Sequence, residues 1–389
     1  MRRACFGLLA FVVQACVVLL ASPPQEPVSP ALAITHGPYL QLATATSVTV
    51  VWHTNRASVS RVEYGEVEPL GLTAMSSRHG LIDNDRTSHA VSLTGLKPGT
   101  TYRYRVVSRA FDGYEKQHIV RYGAAVAAEI STFTTLDPGK TSYSFTLVTD
   151  IHENAARMDA LLAPLDWDDT PFVVFDGDMV NDFMAPDQPF AGFVDAAVAR
   201  FARAKPFVYV RGNHDVRGRY ARRLEDYFPT AGGRAYYSFD HGPVHFVVLD
   251  SGEDKEDSHE YYNGLVAFES YRREQARWLA EDLRSPTARQ AKFRVVFSHI
   301  PPYGGSSPSI EQVRSLWEPI ANQGGVDLWL CGHVHKYLRF DPVQGKNRYQ
   351  LLLGTPDTAI HVHVTPGELK VNVSDSAGRV VDALTVAAR

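Results

Sequence analysis

The stretch Tyr143-Ser144-Phe145-Thr146-Leu147-Val148-Thr149-Asp150-Ile151-His152 decides the fold. Its apolar run, Phe145 to Thr149, is nearly continuous rather than alternating, which predicts a strand buried on both faces. The run ends on Asp150 and His152, two metal-binding side chains two residues apart, so one strand end can aim both at one ion. The same arrangement recurs downstream. Phe172 to Phe175 leads to Asp178 in Asp-Gly-Asp, and Phe207 to Val210 leads to Asn213 in Gly-Asn-His-Asp. Phe293 to Phe297 leads to His299 in Ser-His-Ile-Pro-Pro-Tyr, and Val326 to Leu330 leads to His333 and His335 in Gly-His-Val-His. A further apolar run covers His245 to Leu249. Helical patterns lie between the runs, at Ala155 to Leu165, Phe190 to Ala204 and Glu269 to Leu283. Strands alternating with helices predict an α/β layered domain, in which ligands gather at the carboxyl ends of the strands.

Seven side chains of metal-binding type therefore fall at strand ends: Asp150, His152, Asp178, Asn213, His299, His333 and His335. Mixed carboxylate, amide and imidazole donors from five segments are what a two-metal hydrolytic site needs. A carboxylate such as Asp178 can bridge two ions, and Asn213 offers a neutral carbonyl oxygen. Single motifs of this kind are weak. His361-Val362-His363 has the same spacing as His333-Val334-His335 and is expected on a strand surface. Cys331 is expected as a small core residue. Tyr303, Arg211 and Asn181 are expected to be rim packing, a partner for an acid and a turn-capping loop residue. Arg217, Arg219, Arg222 and Arg223 are expected on a solvated helical face. Ser251 to Gly264 reads as a solvated loop, or as a rim over the site because it leaves the same edge as the motif loops.

Upstream, residues 34 to about 135 read as all-β. Ser47 to Trp52, Val59 to Tyr64, His89 to Leu93, Tyr102 to Val106 and Ile130 to Thr134 are short strands separated by turn residues. The early Trp52, the Leu96-Lys97-Pro98-Gly99-Thr100-Thr101-Tyr102-Arg103-Tyr104-Arg105-Val106 stretch and the closing Phe133-Thr134-Thr135 resemble a fibronectin type III-like β-sandwich. Leu136 to Lys140 reads as a linker. The chain begins Met-Arg-Arg and runs apolar from Ala4 to Ala21 before a Pro-rich stretch, which predicts an export signal over residues 1–33, or a retained membrane anchor. Cys5 and Cys16 lie within it, leaving Cys331 alone in a mature chain, with no intramolecular disulfide.

The ordered set Asp-x-His, Gly-Asp, Gly-Asn-His-Asp, a lone His and Gly-His-x-His resembles the calcineurin-like metallophosphoesterase superfamily over residues 143 to about 360. That resemblance implies a four-layer α/β/β/α sandwich for residues 143–389, behind a small all-β domain at 34–136. It implies that Asp150, His152, Asp178 and His335 hold one metal, and that Asp178, Asn213, His299 and His333 hold a second. It implies two divalent or mixed-valence transition-metal ions, such as Mn, Fe, Zn or Co. His214 is implied to contact the phosphate and protonate the leaving group, with Asp215 orienting its imidazole. The two-domain layout resembles purple acid phosphatases. Those enzymes place a Tyr three residues after the bridging Asp, where this chain has Asn181, while His152 joins the first motif. A colourless site without obligatory ferric iron follows.

The 389 residues carry a net charge of −4, so no basic excess points to nucleic acid as the main partner. The expected partner is a phosphoester substrate, with a membrane engaged only through an N-terminal anchor. The expected activity is an exported, secreted or periplasmic phosphatase or phosphodiesterase. Its alternatives are a nucleotide-specific phosphodiesterase and a non-catalytic surface protein that binds through its β-sandwich. A 5′-nucleotidase with its own carboxyl-terminal substrate domain is disfavoured by the length of chain after the last motif. Oligomeric state is not legible.

Overall fold

The structure is a computed structural model that describes residues 30–388. The apolar segment Ala4 to Ala21 lies outside the described residues, and so does most of the region read as a signal. Among the described residues no helix is long and apolar enough to cross a membrane.

Two continuous-run sheets build the larger part of the molecule. One has six strands in the order Phe207–Val210, Val173–Asp176, Tyr143–Val148, Thr358–Val364, Glu368–Asp375 and Val380–Ala387. The other runs Tyr237–His241, Val244–Val248, Phe293–Phe297, Leu328–Cys331, Gln350–Leu353 and Leu338–Phe340. The motif strands pair in parallel: Tyr143–Val148 with Val173–Asp176, that strand with Phe207–Val210, and Phe293–Phe297 with Leu328–Cys331. Parallel pairing brings their carboxyl ends to one edge, which is why ligands far apart in sequence meet.

Side chains explain the layering. Phe145, Leu147, Val174, Val208, Phe246, Phe297, Leu330 and Val362 form one buried cluster between the sheets. A second cluster packs the first sheet against the helix Ala155–Leu162 and the helical turns between Phe190 and Ala202. A third packs the other sheet against Phe268–Asp282, Pro308–Leu316 and Glu318–Gly324. The result is α/β/β/α, as the resemblance implies. The last two helices carry no expectation from the sequence reading. The segment at 190–202 differs from a regular α-helix: wide π turns at Phe190–Val194 and Val198–Ala202 flank one short α turn.

Ahead of this, a three-stranded sheet (Ile34–Gln41, Ser47–Thr54, Ser88–Thr94) faces a second sheet built on Ser58–Gly65 and Thr101–Lys116. Trp52 fills the space between them, and its indole N–H donates to Ser108 Oγ at 3.0 Å. The strand Thr101–Lys116 continues well past the expected Val106 and pairs with Ile119–Ala127. Bulged register beyond Arg109 and exposure of both faces erase the alternation that marks a strand.

The sandwich does not hang on a loose tether, and the described residues from Leu32 onward form one compact unit. Leu136, read as linker, is buried in the inter-sheet core, and the backbone N–H of Asp137 donates to His241 Nδ1 at 3.0 Å. Tyr39 O–H donates to the Tyr227 carbonyl, and Tyr104 O–H to the Arg203 carbonyl, each at 2.8 Å. His36 stacks on Phe190 with ring centroids 3.7 Å apart.

Candidate metal centre

Backbone conformation aims the site. Asp150, His152, Asp178, His333 and His335 all have positive φ, between 48° and 74°. Non-glycine residues seldom adopt this region, and it costs about 1–3 kcal/mol at each such residue. Five of the seven expected ligands carrying that cost marks a geometry imposed by the surrounding fold. Glycine makes room for it. A Cβ on Gly212 would lie 2.2 Å from both the backbone N and Oδ1 of Asp178. A Cβ on Gly332 would lie 2.0 Å from Thr149 Oγ1.

The structure brings the expected residues together in two groups that share Asp178. Donor atoms of Asp150, His152, Asp178 and His335 lie within 4.8 Å of one another, as do those of Asp178, His299 and His333. Asn213 joins the second group, because its Oδ1 lies 2.8 Å from His333 Nδ1. In the first, His152 Nε2 lies 3.2 Å from His335 Nε2, and His335 Nε2 lies 3.1 Å from Asp150 Oδ1. In the second, His299 Nε2 lies 3.1 Å from Asp178 Oδ2.

Each ligand is held by its other atom. The Nδ1–H of His299 donates to the Asp176 carbonyl at 2.7 Å, which presents Nε2 to the site. Asp178 Oδ1 accepts the backbone N–H of His214 at 2.8 Å, leaving Oδ2 facing inward. Asp150 Oδ2 accepts from Thr149 Oγ1 and from the His333 backbone N–H.

The electrostatics fit cations. Asp150 and Asp178 are buried, and Asp150 Oδ1, His152 Nδ1 and His299 Nε2 have no hydrogen-bond partner. Burial works against charge on His299, yet the carboxylates of Asp178 and Asp150 outweigh it and raise its pKa to about 10. His333 moves the other way, to about 4, through burial and then the charge of His299. A buried cluster of carboxylates that draws positive charge, with neutral imidazoles beside it, suits borderline transition metals.

The roles expected of Asp215, Arg217 and Tyr303 need correction, and Glu153 has no counterpart in the sequence reading. Asp215 does not hold the His214 ring. Its oxygens accept four backbone N–H groups, from Gly212, Asp178, Met179 and Val180, and so pin two motif loops to each other. Burial, then the charge of Asp178, raises its pKa to about 6. The His214 Nδ1–H donates instead to the Asn181 carbonyl, with Asp182 Oδ1 at 3.4 Å. Arg217 does not lie on a solvated face: its side chain is 10% exposed and pairs with Glu253 and Asp254. Arg219, Arg222 and Arg223 are exposed. Glu253 and Asp254 make the Ser251 to Gly264 segment a rim of the site. The unanticipated residue is Glu153, whose Oε1 accepts from the backbone of Asn181 and the side chain of Gln188. Elsewhere, Arg211 pairs with buried Asp250, Cys331 is core, Tyr303 is core rather than the rim packing expected of it, and His361 bonds Thr146 and Ser374 outside the site.

The calcineurin-like phosphoesterase model matches residues 143–337, and the purple acid phosphatase N-terminal domain model matches residues 36–135. Purple acid phosphatase 21 of Arabidopsis thaliana is 24% identical over 352 residues, covering 83% of this chain and 72% of its own. An acid phosphatase of Aspergillus ficuum is 31% identical over 175 residues, covering 37% of this chain and 27% of its own. Purple acid phosphatase PPD1 from yellow lupin seeds superposes with a TM-score of 0.67 at 16% identity, covering 90% of this chain and 74% of that one.

Proposed function

The chain belongs to the calcineurin-like phosphoesterase family and is a phosphoester hydrolase, and from that premise we propose that it cleaves phosphate mono- or diesters at two divalent transition-metal ions after export from the cytoplasm. The observation that carries this reading is the pair of donor groups joined through Asp178. Asp150, His152, Asp178 and His335 would hold one ion, and Asp178, Asn213, His299 and His333 the other. Two such ions supply positive charge for the phosphoryl oxygens and lower the pKa of water.

The chain's own groups do the rest. Asp178 stands between both sets with one oxygen fixed by the His214 backbone, so it sets the spacing of the two sites. His214 donates from Nδ1 to the Asn181 carbonyl, so its doubly protonated form would carry on Nε2 the proton that passes to the departing oxygen. Asp215 acts one step back, by fixing the loops that carry Asp178 and Asn213. Asn181 stands where the purple enzymes carry their Tyr, which supports a colourless centre. Export rests on Met-Arg-Arg followed by the apolar Ala4 to Ala21 segment.

Assay of the purified chain with p-nitrophenyl phosphate and bis-p-nitrophenyl phosphate, with and without Mn²⁺, tests the reading. Metal-dependent turnover of at least one is expected. No turnover on either, nor on a wider phosphoester panel, by protein shown to contain bound metal would overturn it.

A further inference from the structure

Arg217 lies four residues beyond Asn213, and its guanidinium is held by two carboxylates along one edge and meets only His214 along the other. Nε donates to Glu253 Oε1 at 2.6 Å, and Nη2 donates to Glu253 Oε2 and Asp254 Oδ1, each at 2.9 Å. Glu253 is itself 2% exposed at its side chain and accepts the Tyr262 hydroxyl. The ring of Tyr261 lies 5.7 Å from the guanidinium carbon. A guanidinium carries five N–H donors in one plane. Those on Nε and Nη2 are taken, and Nη1 donates one of its two to His214 Nε2 at 3.3 Å, so one N–H on Nη1 remains.

The other ring nitrogen of His214 is the one that donates to the Asn181 carbonyl. Two nitrogens of one loop, three residues apart, thus meet just past the ligand Asn213. Arg217 pairs with Glu253, and Lys255 pairs with Asp254 at 2.7 Å. The cluster therefore contributes directed donors rather than net charge.

We propose that Arg217 is a substrate-binding residue whose Nη1 donates to a non-bridging phosphoryl oxygen next to His214, and that Glu253 positions it from behind. The inference rests on the phosphoester reading of the site. It gives the Ser251 to Gly264 segment a role in binding, because Glu253, Asp254, Tyr261 and Tyr262 all lie in it.

The test uses the full Mn²⁺-loaded chain and inorganic phosphate as the probe. Calorimetry gives the phosphate Kd, competition against p-nitrophenyl phosphate gives Ki, and elemental analysis gives bound metal. Arg217→Lys keeps a cation beside Glu253, but a compact ammonium lacks the two opposite edges with which a planar guanidinium reaches that carboxylate and a phosphoryl oxygen. The double variant Arg217→Gln/Glu253→Gln removes both buried charges at once and so avoids an unpaired carboxylate. Both are expected to weaken phosphate binding roughly tenfold to a hundredfold, the scale of one charge-assisted hydrogen bond, with KM rising in step and metal content unchanged. Phosphate Kd within about twofold of the parent in both variants, with metal retained, overturns the proposal. A parent protein that binds phosphate through Arg217 yet turns over no phosphoester would sink the proposed function and leave this inference standing.

Discussion

Replacing Gly332 with Ala tests how the fold aims its ligands. Gly332 joins the strand Leu328–Cys331 to His333, and its φ is not in the left-handed range, so Ala is acceptable to the backbone itself. The obstacle is space. The added Cβ would sit 2.0 Å from Thr149 Oγ1, 2.7 Å from Asp150 Oδ2 and 2.9 Å from Thr149 Cβ. Thr149 is fully buried and cannot swing out, and its hydroxyl holds the Asp176 carbonyl at 2.8 Å and Asp150 Oδ2 at 2.9 Å. Overpacking plus disturbance of those bonds should cost roughly 2–5 kcal/mol. Urea unfolding in the presence of a chelator measures this without metal linkage. Thr149→Ala removes the clashing oxygen, so the double variant should lie at least about 1 kcal/mol above the sum of the singles. Refutation would be a Gly332→Ala protein within about 0.5 kcal/mol of the parent, or strict additivity in the cycle.

Other consequences are shorter to state. His245 is 2% exposed at its side chain and bridges Asp240 at 2.7 Å and Asp282 at 2.9 Å. Against the burial that lowers it, those carboxylates raise its pKa from 6.5 to about 9. The folded state therefore binds this proton more tightly. The resulting stability, about 3 kcal/mol at most, is fully present below pH ~6.5 and lost as pH rises through ~9. The difference in unfolding free energy between the parent and His245→Gln should shrink over that window; a flat difference would argue against the linkage. His53, at the seam with Phe190 and Tyr227, behaves oppositely, because burial first, then His36 and His89, lower its pKa to about 3. Stability from keeping it neutral is present above ~6.5 and lost on acidification, so His53→Phe should flatten the acid limb of a melting-temperature profile. Asp178→Asn should weaken binding at both metal sites, and elemental analysis showing two tightly held ions would contradict the shared ligand. His214→Ala should lower turnover about 10²–10⁴-fold with metal content kept, and loss of metal would show that its role is misassigned.

Much of this was legible because burial and chemistry alternate along the chain. Each buried parallel strand is a plain apolar run, and the ligands stand just past it, as at Val148 and Asp150 or Val210 and Asn213. What the sequence hid is what depends on three-dimensional pairing. Asp215 sits beside His214 in sequence and was expected to touch its ring, yet the turn points the two side chains apart and Asp215 serves four backbone N–H groups instead. Arg217 stands among other arginines that are solvated, and only contact with Glu253 and Asp254, 36 and 37 residues away, distinguishes it. Leu136 to Lys140 has the Pro and Gly of a linker, but Leu136 is core and Asp137 is tied to His241. Positive φ at Asp150 or His335 leaves no compositional trace, because the residue type there is set by metal chemistry.

The most direct test of the central claim is a stepwise titration of metal-stripped protein with Mn²⁺, following bound metal by calorimetry and turnover of p-nitrophenyl and bis-p-nitrophenyl phosphate in the same samples. Two equivalents should bind per chain, with turnover of at least one ester rising as the second site fills. Full turnover at a single equivalent, or turnover indifferent to metal, would contradict a two-ion phosphohydrolase built around Asp178.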